Sequence, residues 1–137
     1  MTLTWSREDT PRWDADKQSI VGGAPAGALE IGRFAAGDLV PGEWFRVEEQ
    51  GTTVGYGWMD CTWGDAEVLL AVDPERQRAG IGAFIVDRLG KEAAARGVNY
   101  LYNAVRPTHP EREAVTRWLL HHGFVESGDG LLKRRVS

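Results

Sequence analysis

The residues "VDPERQRAGIGAFIVDRL", Val72 to Leu89, decide how this chain is read. An apolar strand runs into them and a helical pattern leaves them. Between the two lies a turn carrying Arg76, Arg78, Gly80 and Gly82. The first N–H groups of a helix have no partner inside the helix, and the dipole there is positive. Glycines let the main chain approach a ligand with no Cβ in the way. Such a turn suits an anion, most naturally a phosphate, and the two arginines add charge beside it. The same pattern also fits plain helix packing. No GxxxxGK[ST] is present, which argues against a nucleotide-hydrolysing P-loop. No GxGxxG follows the first strand, which argues against a dinucleotide fold.

Working outward, Ile81, Phe84, Ile85, Leu89 and Ala93 recur at spacings of three and four and give the helix one apolar face. Gly97 stands where a C-cap belongs. Before the loop, "EWFRVEE", "TVGYGWMDC" and "AEVLLAV" are of strand length, and the turns "QG" and "WGD" make them an antiparallel meander. "AEVLLAV" is apolar on both faces and predicts a central strand. After the helix, "VNYLYNAV" reads as a strand. "THPE" reads as a capping box with Thr108 at N-cap and Glu111 at N3. Val115, Trp118, Leu119 and His122 make the next helical face, which Gly123 ends. "FVES" and "LLKRRV" flank "GDG" as a final hairpin. At the other end, "TLTWS" is a short strand, and a helix follows with Thr10 as N-cap and Pro11 at its first position. The Gly-, Ala- and Pro-rich stretch from "GGAPAGALEIGRF" to "AAGDLVPGEW" reads as loop and short helix. The order is strand, helix, three strands, helix, strand, helix, two strands, a mixed α/β single domain spanning residues 1–137.

The bulk numbers fit that reading. A chain of 137 residues, 42% hydrophobic and 26% charged, matches one ordinary globular domain. Cys61 is the only cysteine, so no disulfide forms within the chain. "MTLTWSREDT" has no apolar leader core and no run is long enough to span a bilayer, so a cytoplasmic protein with no membrane partner is expected. The formal net charge of -4 argues against nucleic acid as a partner. Residues 1–75 hold 5 basic and 14 acidic residues, a net of -9, while residues 76–137 hold 11 and 6, a net of +5. A basic half favours an anionic ligand and an acidic half a cationic one; solvated surface explains the same asymmetry.

"QRAGIG", Gln77 to Gly82, matches the [QR]-x-x-G-x-[GA] signature of the GNAT acyltransferase superfamily. The context from "LLAVDPERQRAGIGAF" to "VNYLYNAV" looks like that family's central strand, pyrophosphate loop, helix and following strand, and "EREAVTRWLLHHGF" is similar to its last helix. The resemblance is close over residues 66–126 and extends to residues 1–65 only in element order. It implies an α/β fold with a central mixed sheet of about six or seven strands, splayed in the middle and flanked by helices. It implies an N-acyltransferase, most directly an acetyltransferase, using acetyl-coenzyme A as co-substrate and no metal. Gln77, Arg78, Ala79, Gly80, Ile81 and Gly82 would hold the pyrophosphate with their amides. Leu70 and Val72 would pair their backbone with the pantetheine arm. Asn103, on what should be a buried face, would hydrogen-bond that arm, a water in the splay, or a structural partner. The partner implied is an amine of a small molecule or peptide, and a homodimer fits similar proteins.

Transfer to an amine requires a base to take a proton and is helped by an acid at the leaving thiolate. Glu67, on the otherwise apolar strand "AEVLLAV", would lose part of its hydration and serve as the base; at the exposed start of the strand it would merely be solvated. The family's frequent acid, a tyrosine four residues before the glycine of "GF", is here Leu119, and its frequent asparagine is Arg112. Tyr102 is taken as the catalytic substitute, with Tyr100, His121, water or no acid at all as alternatives. Trp44, Trp58 and Trp63 fall on or beside the meander with Glu43, Asp60 and Asp65, an aromatic and acidic set that suits a cation with an apolar body; core packing would also explain the tryptophans. Two other readings keep the fold: a non-catalytic acyl-coenzyme A-binding module, or a donor that is an acyl carrier protein or an aminoacyl-tRNA.

Overall fold

The computed structural model describes residues 2–22, 34–77, 80–105, 109–128 and 130–136. Seven strands among them form one sheet: β1 (Leu3–Arg7), β2 (Glu43–Glu49), β3 (Thr52–Thr62), β4 (Asp65–Val72), β5 (Tyr100–Asn103), β6 (Val125–Glu126) and β7 (Leu132–Arg135). The helices are α1 (Ala15–Ile20), α2 (Ile81–Ala95) and α3 (Arg112–His121). The sheet runs β1-β2-β3-β4-β5-β7-β6, with β4 in the middle as its apolar faces predict. Its one parallel pair is β4–β5, joined through α2. The fold is therefore the mixed α/β sheet expected, with helices on its faces.

Both meander turns are two residues long with positive φ at each, Gln50 (φ 51) with Gly51 (φ 78) and Trp63 (φ 49) with Gly64 (φ 86). That is the twist-matched geometry of tight hairpins, and it fixes the register of β2, β3 and β4. On one face of the sheet Phe45, Val47, Met59, Ala66, Val68 and Leu101 pack against Ile81, Ile85, Val86 and Leu89 of α2, with Leu119 of α3 in the same core. Gly57 lets α2 lie this close: a Cβ there would stand 2.9 Å from the Trp5 ring and 3.0 Å from Ile85. On the opposite face, Trp13, Ile20, Val21, Val40, Trp44 and Tyr56 form a smaller core under α1.

Two helix starts differ from the sequence pattern. α1 begins at Ala15, not near Pro11, and Asp14 caps it by accepting from the Lys17 N–H at 2.8 Å. Residues 11–13 are instead held extended: Val40 N–H donates to Pro11 O, Trp13 N–H to Asp38 O, and Gly37 N–H to Trp13 O. Those bonds with a distant segment outweigh the local start signal of Thr10 and Pro11. In α3, Glu111 is the N-cap and not N3, and its N–H donates to His109 Nδ1 at 2.9 Å; Thr108 lies outside the described residues. The stretch "GAPAGALEIGR", residues 23–33, also lies outside them. No helix among the described residues is long and apolar enough to cross a membrane.

Candidate functional site

β4 and β5 pair over only three positions, Asp65↔Tyr100, Ala66↔Leu101 and Glu67↔Tyr102. Beyond them the strands part, and Asn103 Nδ2 bridges the vertex by donating to Val68 O at 2.8 Å. The stretch from Leu69 to Val72 stays paired to β3 but has lost β5. Its backbone groups on that side suit an extended, amide-bearing ligand, as an added strand would use them.

The chain then turns through Asp73, whose carboxylate accepts from the Glu75 N–H at 3.0 Å, into Pro74–Arg76. Arg76 pairs with Glu49 at 3.0 Å, so its charge is shared with β2 and not left for the loop alone. Gln77 is exposed; Arg78 and Ala79 lie outside the described residues. Gly80 has φ +80, and a Cβ there would meet nothing within 4 Å. α2 starts at Ile81 with Gly80 at its N-cap, and among the described residues no side chain caps its first turn. Open space before uncapped N–H groups fits a phosphate. Gly82 serves differently from the sequence expectation: its missing Cβ makes room for the Trp118 ring of α3, which would lie 3.0 Å away. The parted strands and the uncapped helix start thus join at the C-terminal end of β4, a fit to the pantetheine and pyrophosphate of coenzyme A.

Register carries Glu67 and Tyr102 side by side, with Asp60 opposite Glu67 on its other flank. All three lie on the face away from α2. Glu67 and Tyr102 are half-buried and Asp60 is exposed. The Tyr102 hydroxyl is pushed above its ordinary pKa by burial first, then by the Glu67, Asp60 and Asp65 carboxylates. It is therefore protonated at neutral pH. The next rungs on this face are Trp58↔Leu69 and Tyr56↔Ala71. They floor an open hollow that Trp44 and Val21 also line. Trp44 and Trp58 both donate their indole N–H to Pro41 O at 2.9 Å. Gly42 (φ +84) permits this, since a Cβ there would collide with Trp58 Nε1.

The aromatic and acidic set read from the sequence divides here. Trp44, Trp58 and Asp60 share the face of Glu67. Trp63 is 100% exposed at the β3–β4 tip and lines no part of the hollow. Glu43 pairs with Arg7 at 3.2 Å and with Arg96 at 2.7 Å on the other face. Asp65 lies 3.9 Å from Lys133. Tyr100 is two residues from Tyr102 on its face, while His121 belongs to α3 on the opposite one. Leu119 is buried in the main core.

Sequence reasoning missed a charge cluster beside the hollow. Lys17 is fully buried, 2.6 Å from Glu8, and donates to Arg12 O at 2.9 Å, with its ammonium over the Trp44 and Tyr56 rings. Arg46 binds Glu8 and Asp14, each at 2.8 Å. The one sequence signal was Lys17 three residues before Ile20, on the apolar stripe of α1. Burial drives the Tyr56 phenol far above its ordinary value, aided by the Asp14, Glu8 and Asp16 carboxylates against Arg46. No group of three or more His, Cys, Asp or Glu among the described residues could hold a metal ion.

Among known proteins, the acetyltransferase (GNAT) domain model matches residues 41–126, well over half of the chain. No curated protein matches. Among solved structures, the chain is similar to the ribosomal-protein-S18-alanine N-acetyltransferase of Escherichia coli, with 18% identity over 99% of this chain and 95% of that one and a TM-score of 0.59. It is similar to the N-acetylglutamate synthase of Neisseria gonorrhoeae complexed with coenzyme A and N-acetyl-glutamate, with 18% identity over 98% of this chain and 35% of that one and a TM-score of 0.72. It is also similar to the PaiA N-acetyltransferase of Thermoplasma acidophilum in complex with coenzyme A, with 16% identity over 67% of this chain and 59% of that one and a TM-score of 0.57.

Proposed function

This chain belongs to the GNAT acetyltransferase family, and on that premise we propose that it transfers an acetyl group from acetyl-coenzyme A to an amine by direct attack. The observation that carries this is the junction of the parted β4 edge with the uncapped start of α2. The first offers backbone groups to a pantetheine arm, through Leu70 and Val72. The second offers amides to a pyrophosphate, through the loop from Gln77 to Gly82. Asn103 steadies the vertex between them. Acetyl-coenzyme A supplies an activated thioester at that vertex.

Glu67 acts as the base. It takes a first proton from the incoming ammonium and releases it to solvent, so that the nitrogen lone pair can attack the thioester carbonyl, and as the C–N bond forms it takes the second proton from that nitrogen, directly or through water. Tyr102, its neighbour across β4–β5, gives its phenolic proton to the departing sulfur as the C–S bond breaks. The proton on Glu67 then returns the phenolate to neutrality through solvent. Cys61 takes no part: it lies on the opposite face from Glu67, and partial burial with the Glu43 and Asp60 carboxylates keeps it a thiol. A direct ternary reaction follows.

Calorimetric titration with acetyl-coenzyme A, coenzyme A and adenosine bisphosphate tests the reading. Binding that needs the pantetheine arm and is lost in Gly80→Asp is the expected result. No binding to any of the three overturns it.

A further inference from the structure

The sheet face that floors the hollow changes character beyond it. Along β3 and β4 the rungs run Tyr56↔Ala71, Trp58↔Leu69 and then Asp60↔Glu67. Two apolar rungs give way to a rung of two carboxylates. Like charges directly opposite on an antiparallel ladder repel. Several acidic side chains elsewhere on the sheet are neutralised, Glu43 by Arg7 and Arg96, Glu49 by Arg76, Glu8 by Lys17 and Arg46. Among the described residues neither Asp60 nor Glu67 has an ion-pair partner. The aromatic part is rigid, since both indoles are tied to Pro41 O. An apolar hollow followed, two residues along the same strands, by a rung of two carboxylates complements a ligand with an apolar body and a terminal ammonium.

We propose that the acceptor is a primary amine on an apolar body with no carboxylate beside the nitrogen, and that Asp60 determines this specificity. The inference rests on the acetyl-transfer reading and narrows it. The body lies on Trp58 and Leu69, and the ammonium enters between Asp60 and Glu67. Glu67 takes the proton and Asp60 keeps its charge, holding the cation before reaction and repelling an α-carboxylate. An α-amino acid would place its own anion against this rung and be repelled.

The test pairs phenethylamine with phenylalanine, which differ by that carboxylate. Turnover of each with acetyl-coenzyme A is measured, together with calorimetric binding of each amine and of coenzyme A alone. The expected result is a kcat/KM for phenethylamine on the order of 100-fold above phenylalanine. Asp60→Asn should weaken phenethylamine binding about tenfold, as loss of a charged contact does, narrow the ratio, and leave coenzyme A affinity unchanged. Equal use of phenylalanine, or a ratio unmoved in Asp60→Asn, overturns the acceptor assignment alone. Coenzyme A binding with neither amine bound nor turned over also overturns it. Failure to bind coenzyme A overturns the acetyl-transfer reading itself and this one with it.

Discussion

Glu67 has one neighbour of like charge, Asp60, and one proton donor, Tyr102, on either flank of the same row. If it is the base, Glu67→Gln lowers kcat by about 100-fold to 10,000-fold while calorimetric affinity for coenzyme A holds; an unchanged kcat would remove Glu67 from the chemistry. Tyr102→Phe would lower kcat with the same unchanged cofactor affinity. The deeper tyrosine gives a different test. Tyr56 buries a hydroxyl that finds no hydrogen-bond partner among the described residues, so Tyr56→Phe should be neutral or stabilise by up to about 1 kcal/mol in urea unfolding. It should also change the alkaline limb of stability. The phenol ionises near 10.0 when unfolded and higher when folded. Its contribution is therefore whole below pH 10 and is lost as pH rises above it. Comparing urea midpoints at about pH 8 and about pH 11 should show a smaller loss in Tyr56→Phe than in the parent.

The helices and strands owe their existence to local pattern and their boundaries to distant contacts. Of the α2 positions whose spacing is visible in the sequence, Ile81, Ile85, Leu89 and Ala93 are buried and Phe84 is half-buried, while Val86, outside that spacing, is buried as well. The start of α1 does not, because backbone bonds to residues 37–40 hold residues 11–13 extended. α1 is short, and its attachment runs through Lys17, which is sealed between Glu8 and two aromatic rings. Lys17→Ala leaves the Glu8 carboxylate short of a partner and should cost about 3–5 kcal/mol in chemical denaturation. The seat of α2 on β3 depends on Gly57, where a side chain would press on Trp5 and Ile85. Gly57→Val should cost about 1–3 kcal/mol by overpacking, read from the same unfolding curves.

In the whole molecule, the acidic first half and the basic second half meet along ion pairs, Glu49 with Arg76, Glu43 with Arg96 and Asp65 with Lys133. The charge asymmetry therefore serves partly to join the halves across the sheet. Because a ligand that binds only the folded state stabilises it, coenzyme A at roughly 100 times its Kd should add about 2.7 kcal/mol. A thermal-shift assay should show a rise of several degrees that Gly80→Asp abolishes. The order of elements and the central place of β4 were determined by the sequence alone. They depend on periods of two and 3.6 residues and on glycines near in the chain, whereas the anion-suited loop, Glu67 and Tyr102 were expectations that leaned on the family resemblance. Only the tertiary structure decided that β7 lies between β5 and β6, that Asp60 faces Glu67, that Trp63 and Glu43 leave the hollow, and that Lys17 is buried. These follow from strand register and from contacts between residues far apart in the chain, where a slip of one residue would send every side chain of a strand to the other face.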